Sequence, residues 1–175
     1  NNWILQGWAC PLAAVVASGA AASYTITVAI KFTALPADKT RWAGIAICCP
    51  TDRHYSDSGT QAATDAGNTG YQIWLRPSTA SGGGSAGDLN IAEKNDGSQV
   101  GGTVTGALSA EVVAGNTVTL TIAVSPTAIV VTASGAVTGT VTMTDATNRG
   151  GFFHLGHAAI ASGSITLEYG PITIT

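Results

Sequence analysis

Residues 23–32 read SYTITVAIKF, and this stretch decides the fold class. Tyr24, Ile26, Val28, Ile30 and Phe32 alternate with Ser23, Thr25, Thr27, Ala29 and Lys31. Successive side chains of a strand point to opposite faces, so a period of two gives one apolar face and one Thr-rich face. The same alternation recurs outward along the chain. Residues 117–124 (TVTLTIAV) set Val118, Leu120, Ile122 and Val124 against Thr117, Thr119 and Thr121. Residues 71–77 (YQIWLRP) set Tyr71, Ile73 and Leu75 against Gln72, Trp74 and Arg76. Residues 87–94 (GDLNIAEK) set Leu89 and Ile91 against Asn90, Ala92 and Lys94. Residues 163–175 (GSITLEYGPITIT) close the chain with Ile165, Leu167, Tyr169, Ile172 and Ile174 in phase. Thr, Val and Ile suit a pleated, half-buried surface.

Turn-forming clusters separate these runs: SGGGSAGD at 81–88, NDGSQVGG at 95–102, AGN at 114–116, ASG at 133–135 and NRGG at 148–151. No segment carries a capped 3.6-residue period, and strands do not alternate with helices. The expected fold is therefore all-β, an antiparallel β-sandwich of two sheets, with residues 1–175 as one domain. The longest stretch without a pattern, 51–69, is the expected long loop. Trp3, Ile4, Leu5 and Trp8 are apolar for a terminal segment, so part of 1–20 is expected to pair as a strand with the domain or with a neighbouring subunit.

Composition narrows the function classes. Hydrophobic residues make up 45 % of the 175, enough for a core. Charged residues are 10 % and the net charge is −3, with no basic stripe to displace counterions from a phosphate backbone, so no nucleic-acid partner is expected. No apolar run approaches the roughly 18 residues of a spanning helix, and no membrane insertion is expected. The cysteines, Cys10, Cys48 and Cys49, are odd in number and form no Cys-x-x-Cys pair. They read as buried small hydrophobes or as one bridge from Cys10 to Cys48 or Cys49.

The order of features is similar to a known family. SYTITVAIKF is followed by RWAGIAICC (41–49), GYQIWLRP, GDLNIAEKNDGS, AGNTVTLTIAV, TAIVVTASGAV and TMTDATNRGGFFHLGHA, then the terminal strand. This resembles the concanavalin A-like lectin/glucanase jelly roll, the group that includes laminin-G-like modules, from about residue 20 onward. The most specific part is the turn at Thr144 and Asp145 followed by Gly150, Gly151, Phe153 and Leu155. The resemblance implies a jelly roll of two sheets and a protein that binds glycans, cleaves them or serves in adhesion.

The residues favour binding over cleavage. A retaining glycosidase needs two carboxyls about 5 Å apart, which a strand supplies at i and i+2. Glu93 and Asp96 differ by three and point apart; Glu111 and Glu168 stand alone. His154 and His157 fall on opposite strand faces, a poor chelate, and His54 lies in the long loop. With Ile73, Leu75, Leu89, Ile91, Phe153 and Leu155 facing the core, the other face carries Gln72, Trp74, Arg76, Asn90, Lys94, Phe152 and His154. Trp42, Gly44, Ala46 and Cys48 fall on the same side, and their small members leave room for a ligand. Rings beside amide, guanidinium and imidazole groups suit sugars, which present C–H faces and hydroxyls. The ligand-binding set is thus Gln72, Trp74, Arg76, Asn90, Phe152 and His154, with Trp74 as stacking platform; a loop, a subunit or a second core layer covering that face is the competing reading. Calcium is the one cofactor the resemblance admits, with Asp145 and Asn148 as the nearest local ligands and Asp57, Asp65 and Asn68 in the long loop.

The expected function is a non-catalytic glycan-binding or adhesion module, extracellular or on a cell or virion surface, with a glycan or polysaccharide as partner. The rival is a structural subunit of a virion, tail fibre or extracellular filament. Free soluble domains carry about 25–35 % charged surface residues, so a charge-poor chain suits self-association or other chains of an assembly. A glycoside hydrolase stands third.

Overall fold

The computed structural model describes residues 10–11, 23–35, 37–49, 69–95, 98–145, 147–148, 151–157 and 166–175. Within them the strands are β1 (Cys10–Pro11), β2 (Tyr24–Ala34), β3 (Ala43–Cys49), β4 (Gly70–Arg76), β5 (Asp88–Asn95), β6 (Ser98–Ala107), β7 (Thr117–Val124), β8 (Ala128–Gly135), β9 (Gly139–Thr144), β10 (Phe152–His157) and β11 (Thr166–Ile174). They form a six-stranded sheet ordered β1-β10-β3-β4-β5-β6 and a five-stranded sheet ordered β11-β2-β7-β8-β9. Every pairing is antiparallel. The fold is an antiparallel β-sandwich, as the alternation predicts, and of jelly-roll type, as the resemblance implies.

The register explains the core. β2 and β7 pair without a break from Tyr24↔Val124 to Lys31↔Thr117, so Ile26 meets Ile122, Val28 meets Leu120 and Ile30 meets Val118. All six are buried against Ile45, Ile73, Leu75, Leu89, Ile91 and Phe153 of the other sheet. Each such side chain contributes roughly 1.5–3 kcal/mol on burial. Leu155 and Leu167 pack on this core while staying partly buried; Ile165 lies outside the described residues. The opposite face of the five-stranded sheet is a ladder of threonines, one per strand: Thr173, Thr27, Thr121, Thr132 and Thr140. Tyr169 of β11 crosses the interior and sets its hydroxyl between the carbonyl oxygens of Gly44 and Gly156, tying the two sheets together.

β3 departs from plain alternation at its end. Cys48 has φ 58°, a left-handed backbone rare for a residue with a side chain. Between Phe152↔Cys49 and His154↔Ala46, Ile47 and Cys48 stand against the single residue Phe153. This bulge reverses the facing that the sequence suggests for Cys48. Its thiol joins the main core and lies 3.2 Å from the Tyr24 hydroxyl, while Cys49 packs with Ala46, Trp42 and Trp74 on the second face. Gly151 accommodates the bulge: a Cβ there, at φ 118°, would lie 1.9 Å from the Cys49 carbonyl oxygen. Cys48 and Cys49 are buried thiols outside any disulfide, and the Cys10 side chain lies outside the described residues; burial raises the Cys49 thiol far above its ordinary value. Of the N-terminal segment, Cys10 and Pro11 pair with Phe153 and Phe152. Residues 3–8 lie outside the described residues.

Candidate functional site

The second face of the six-stranded sheet carries the residues singled out by sequence, and the register arranges them in rows. One row runs His154, Ala46, Gln72, Ala92, Thr103; the next runs Gly156, Gly44, Trp74, Asn90, Thr105. A third step brings Arg76 opposite Asp88. Neighbouring strands lie about 4.8 Å apart, so His154 sits two strands, about 10 Å, from Gln72 across Ala46. The pairing of β4 with β5 expected from their short connection is present, with Trp74 directly opposite Asn90. On one side of Trp74 its row holds two glycines, Gly44 and then Gly156; on the other side stands Asn90.

The expected openness of this face is not met throughout. Gln72 and His154 are 0 % exposed and Asn90 is 2 % exposed. They are buried polar groups, not solvent-facing ones, because all of β3 and nearly all of β5 are covered on both faces. Both amide atoms of Gln72 and the indole Nε1 of Trp74 are buried without a hydrogen-bond partner. Trp74, Trp42 and Arg76 remain half-exposed at one end of the sheet. The two indoles pack at 5.6 Å between ring centroids with 30° between planes. Sequence reading placed Trp42 on this face without giving it a role; its separation from Trp74 along the chain hid the pair. Phe152 pairs through its backbone with Cys49; its side chain lies outside the described residues.

A polar relay fixes the Arg76 end. Arg76 Nε donates to Asp88 Oδ1 at 2.7 Å, and its Nη2 donates to Asp88 Oδ2. Asn90 Nδ2 donates to Asp88 Oδ1 at 2.8 Å, and Thr105 Oγ1 donates to Asn90 Oδ1 at 2.6 Å. Asp88 is buried with every bond charge-assisted, the condition under which a buried carboxylate is tolerated.

Glu93 and Asp145 form a second polar centre that sequence spacing does not reveal. Asp145, beyond the end of β9, reaches the six-stranded sheet and accepts from the Tyr71 hydroxyl at 2.6 Å and from the Thr147 amide at 2.6 Å. Asn148 Nδ2 lies 3.5 Å from Glu93 Oε1, and its amide donates to the Tyr71 hydroxyl. Burial, then the Asp145 charge, push the Glu93 carboxyl above its ordinary value. The Asp145 carboxyl is lowered: its burial is outweighed by bonds from Thr147 and Tyr71. Glu93 pairs with Tyr71, a core residue, so this centre closes one end of the interior, away from the indoles. Calcium takes about six to eight oxygen ligands. The calcium candidates Asp145 and Asn148 lie together in this hydrogen-bonded cluster; among the described residues no three His, Cys, Asp or Glu side chains converge. Asp57, Asp65, Asn68 and His54 lie outside the described residues.

No protein-family model matches the chain, and no curated protein does. Among solved structures, the chain is similar to galectin-Ib of Xenopus laevis, with 10 % identity, all of both chains covered and a TM-score of 0.49. It is also similar to an alginate lyase from Alteromonas sp. 272, with 14 % identity, 87 % of this chain and 71 % of that one covered, and a TM-score of 0.46. Alginate lyase A1-II' is similar at 13 % identity over 87 % of this chain and 63 % of its own, with a TM-score of 0.39.

Proposed function

We propose that this chain is a non-catalytic glycan-binding or adhesion module, exposed on a cell or virion surface, that holds its ligand at the Trp42–Trp74 end of the second face. The observation that carries this reading is the half-exposed indole pair beside glycine positions, with a clamped guanidinium at its edge. Indoles stack on the C–H face of a sugar, and Arg76 supplies N–H groups to its hydroxyls. The expected binding set narrows accordingly. Trp74 and Arg76 stay, Trp42 joins, Asn90 acts through Asp88, and Gln72 and His154 form a buried floor. The non-catalytic part rests on the placement of Glu93 and Asp145 on the core side of the sheet. Native protein on a glycan array should give a defined set of bound glycans, and Trp74→Ala should abolish them with the circular-dichroism spectrum unchanged. A blank native array, or a Trp74→Ala chain that unfolds, overturns the proposal.

A structural subunit of a virion, tail fibre or filament is the second reading, favoured by the uncharged threonine ladder of the five-stranded sheet. Light scattering on the isolated chain separates the two: a defined monomer favours the binding module, and a fibre or ring favours the assembly role.

A further inference from the structure

Charge at the indole end of the sandwich is balanced group by group. The segments that meet there are 37–42, 76–88 and 108–112, joined by Lys39 N to Ser81 O at 2.8 Å, Ser78 N to Lys39 O at 3.2 Å and Val112 N to Pro77 O at 2.9 Å. They contain three cations, Lys39, Arg41 and Arg76, and three anions, Asp38, Asp88 and Glu111. Each cation is matched to one anion: Lys39 to Glu111 at 2.7 Å, Arg41 to Asp38 at 3.0 Å and Arg76 to Asp88. Thr40 and Arg41 hold the Asp38 carboxyl low, and Lys39 with the Gly84 amide holds Glu111 low, so both anions stay ionised. Within these three segments the formal charges therefore sum to zero.

Arg76 is the donor nearest the platform. It lies two residues from Trp74 on the same face, about 7 Å along the strand. Its side chain is 34 % exposed while that of Asp88 is 4 % exposed, so the guanidinium reaches the surface and its counter-charge lies beneath it. Two of its five N–H groups go to Asp88, leaving three for a ligand. A carboxylate on an incoming sugar would compete with Asp88 for the same guanidinium and meet its negative charge. A hydroxyl meets neither obstacle. On the glycan-binding reading above, we propose that the Trp42–Trp74 face takes a neutral glycan, and that Asp88 is the positioning residue that sets this preference by clamping Arg76 and cancelling its charge.

Calorimetry of the full chain tests this with neutral oligosaccharides of glucose, galactose, mannose and xylose against oligomers of galacturonate and glucuronate, at low and high salt. The native chain should bind a neutral member with an affinity that salt leaves unchanged, and should bind neither uronate. Asp88→Asn keeps the shape and releases the Arg76 charge. It should weaken neutral binding about tenfold and create salt-sensitive uronate binding. A merely structural role for Asp88 would weaken both classes alike. Salt-sensitive uronate binding by the native chain, or a folded Asp88→Asn chain with unchanged selectivity, overturns the proposal. If Asp88→Asn fails to fold, Arg76→Gln must lose neutral affinity without gaining uronates, and unchanged binding there overturns it equally. Silence towards every glycan instead ends the glycan-binding reading itself.

Discussion

β2 and β3 are both interior strands, yet they are buried in different ways. β2 alternates buried and half-buried residues along nearly its whole length, with the core on one side and a threonine face on the other. All seven residues of β3 are buried. A strand covered on both faces reads as a continuous small and apolar run, and AGIAICC is such a run. The lesson is that alternation identifies the core face only where the other face meets water. On the five-stranded sheet it does. On the six-stranded sheet the second face holds a buried amide, a buried imidazole and a buried carboxylate.

Substitutions on the two second faces sharpen this contrast. The largest effect is expected at Asp88. Asp88→Ala strands Arg76 and Asn90 and should cost about 2–3 kcal/mol, less than for a fully buried pair because Arg76 reaches solvent. Chemical denaturation checks it, and a loss under about 0.5 kcal/mol would mean that the relay is not a structural unit. Gln72 should respond in the opposite sense. Its amide is buried with neither atom bonded. Gln72→Leu removes two unsatisfied groups and should raise stability by about 1–2 kcal/mol on the same denaturation curve. A destabilised Gln72→Leu chain would show that the amide is satisfied in solution.

Glu93→Gln should have a smaller effect that depends on pH. The folded state raises the Glu93 carboxyl above its ordinary 4.5, so the folded protein binds this proton more tightly than the unfolded chain. The stability this gives is full below 4.5 and is lost as pH rises through the folded value. Asp145 is lowered and works in the opposite sense, losing its contribution as pH falls below its ordinary 3.8. Glu93→Gln should therefore raise the Tm at neutral pH, with the gain vanishing below 4.5. A gain that persists in acid would point to packing instead of charge. On the threonine face, Thr121→Ala should change stability by less than about 0.5 kcal/mol, since its side chain leaves the core untouched. A larger loss would mean that the ladder carries packing energy of its own.

The period-two phase of Ile26, Val28, Ile30, Leu120 and Ile122 makes the sandwich and its core legible in the sequence, and the short link between β4 and β5 places Trp74 beside Asn90. Three features were not legible. The Cys48 bulge is a backbone event, and nothing in AGIAICC distinguishes it from straight strand. The burial of Gln72, Asn90 and His154 depends on what lies over a face, which the pattern within one strand does not encode. The meeting of Glu93 with Asp145, and of Trp42 with Trp74, joins residues far apart in the chain, where spacing rules have no reach.

The most direct test of glycan recognition at the indole pair is a sugar titration followed through the four tryptophan indole N–H signals in a 1H–15N correlation spectrum. Trp42→Phe and Trp74→Phe assign the two signals that matter. Added glycan should move the Trp42 and Trp74 signals together and leave the backbone amides of Thr27, Thr121 and Thr132 in place. Indoles that stay still while any amide of the threonine ladder shifts, or a spectrum that no glycan changes, would contradict a ligand site on this face.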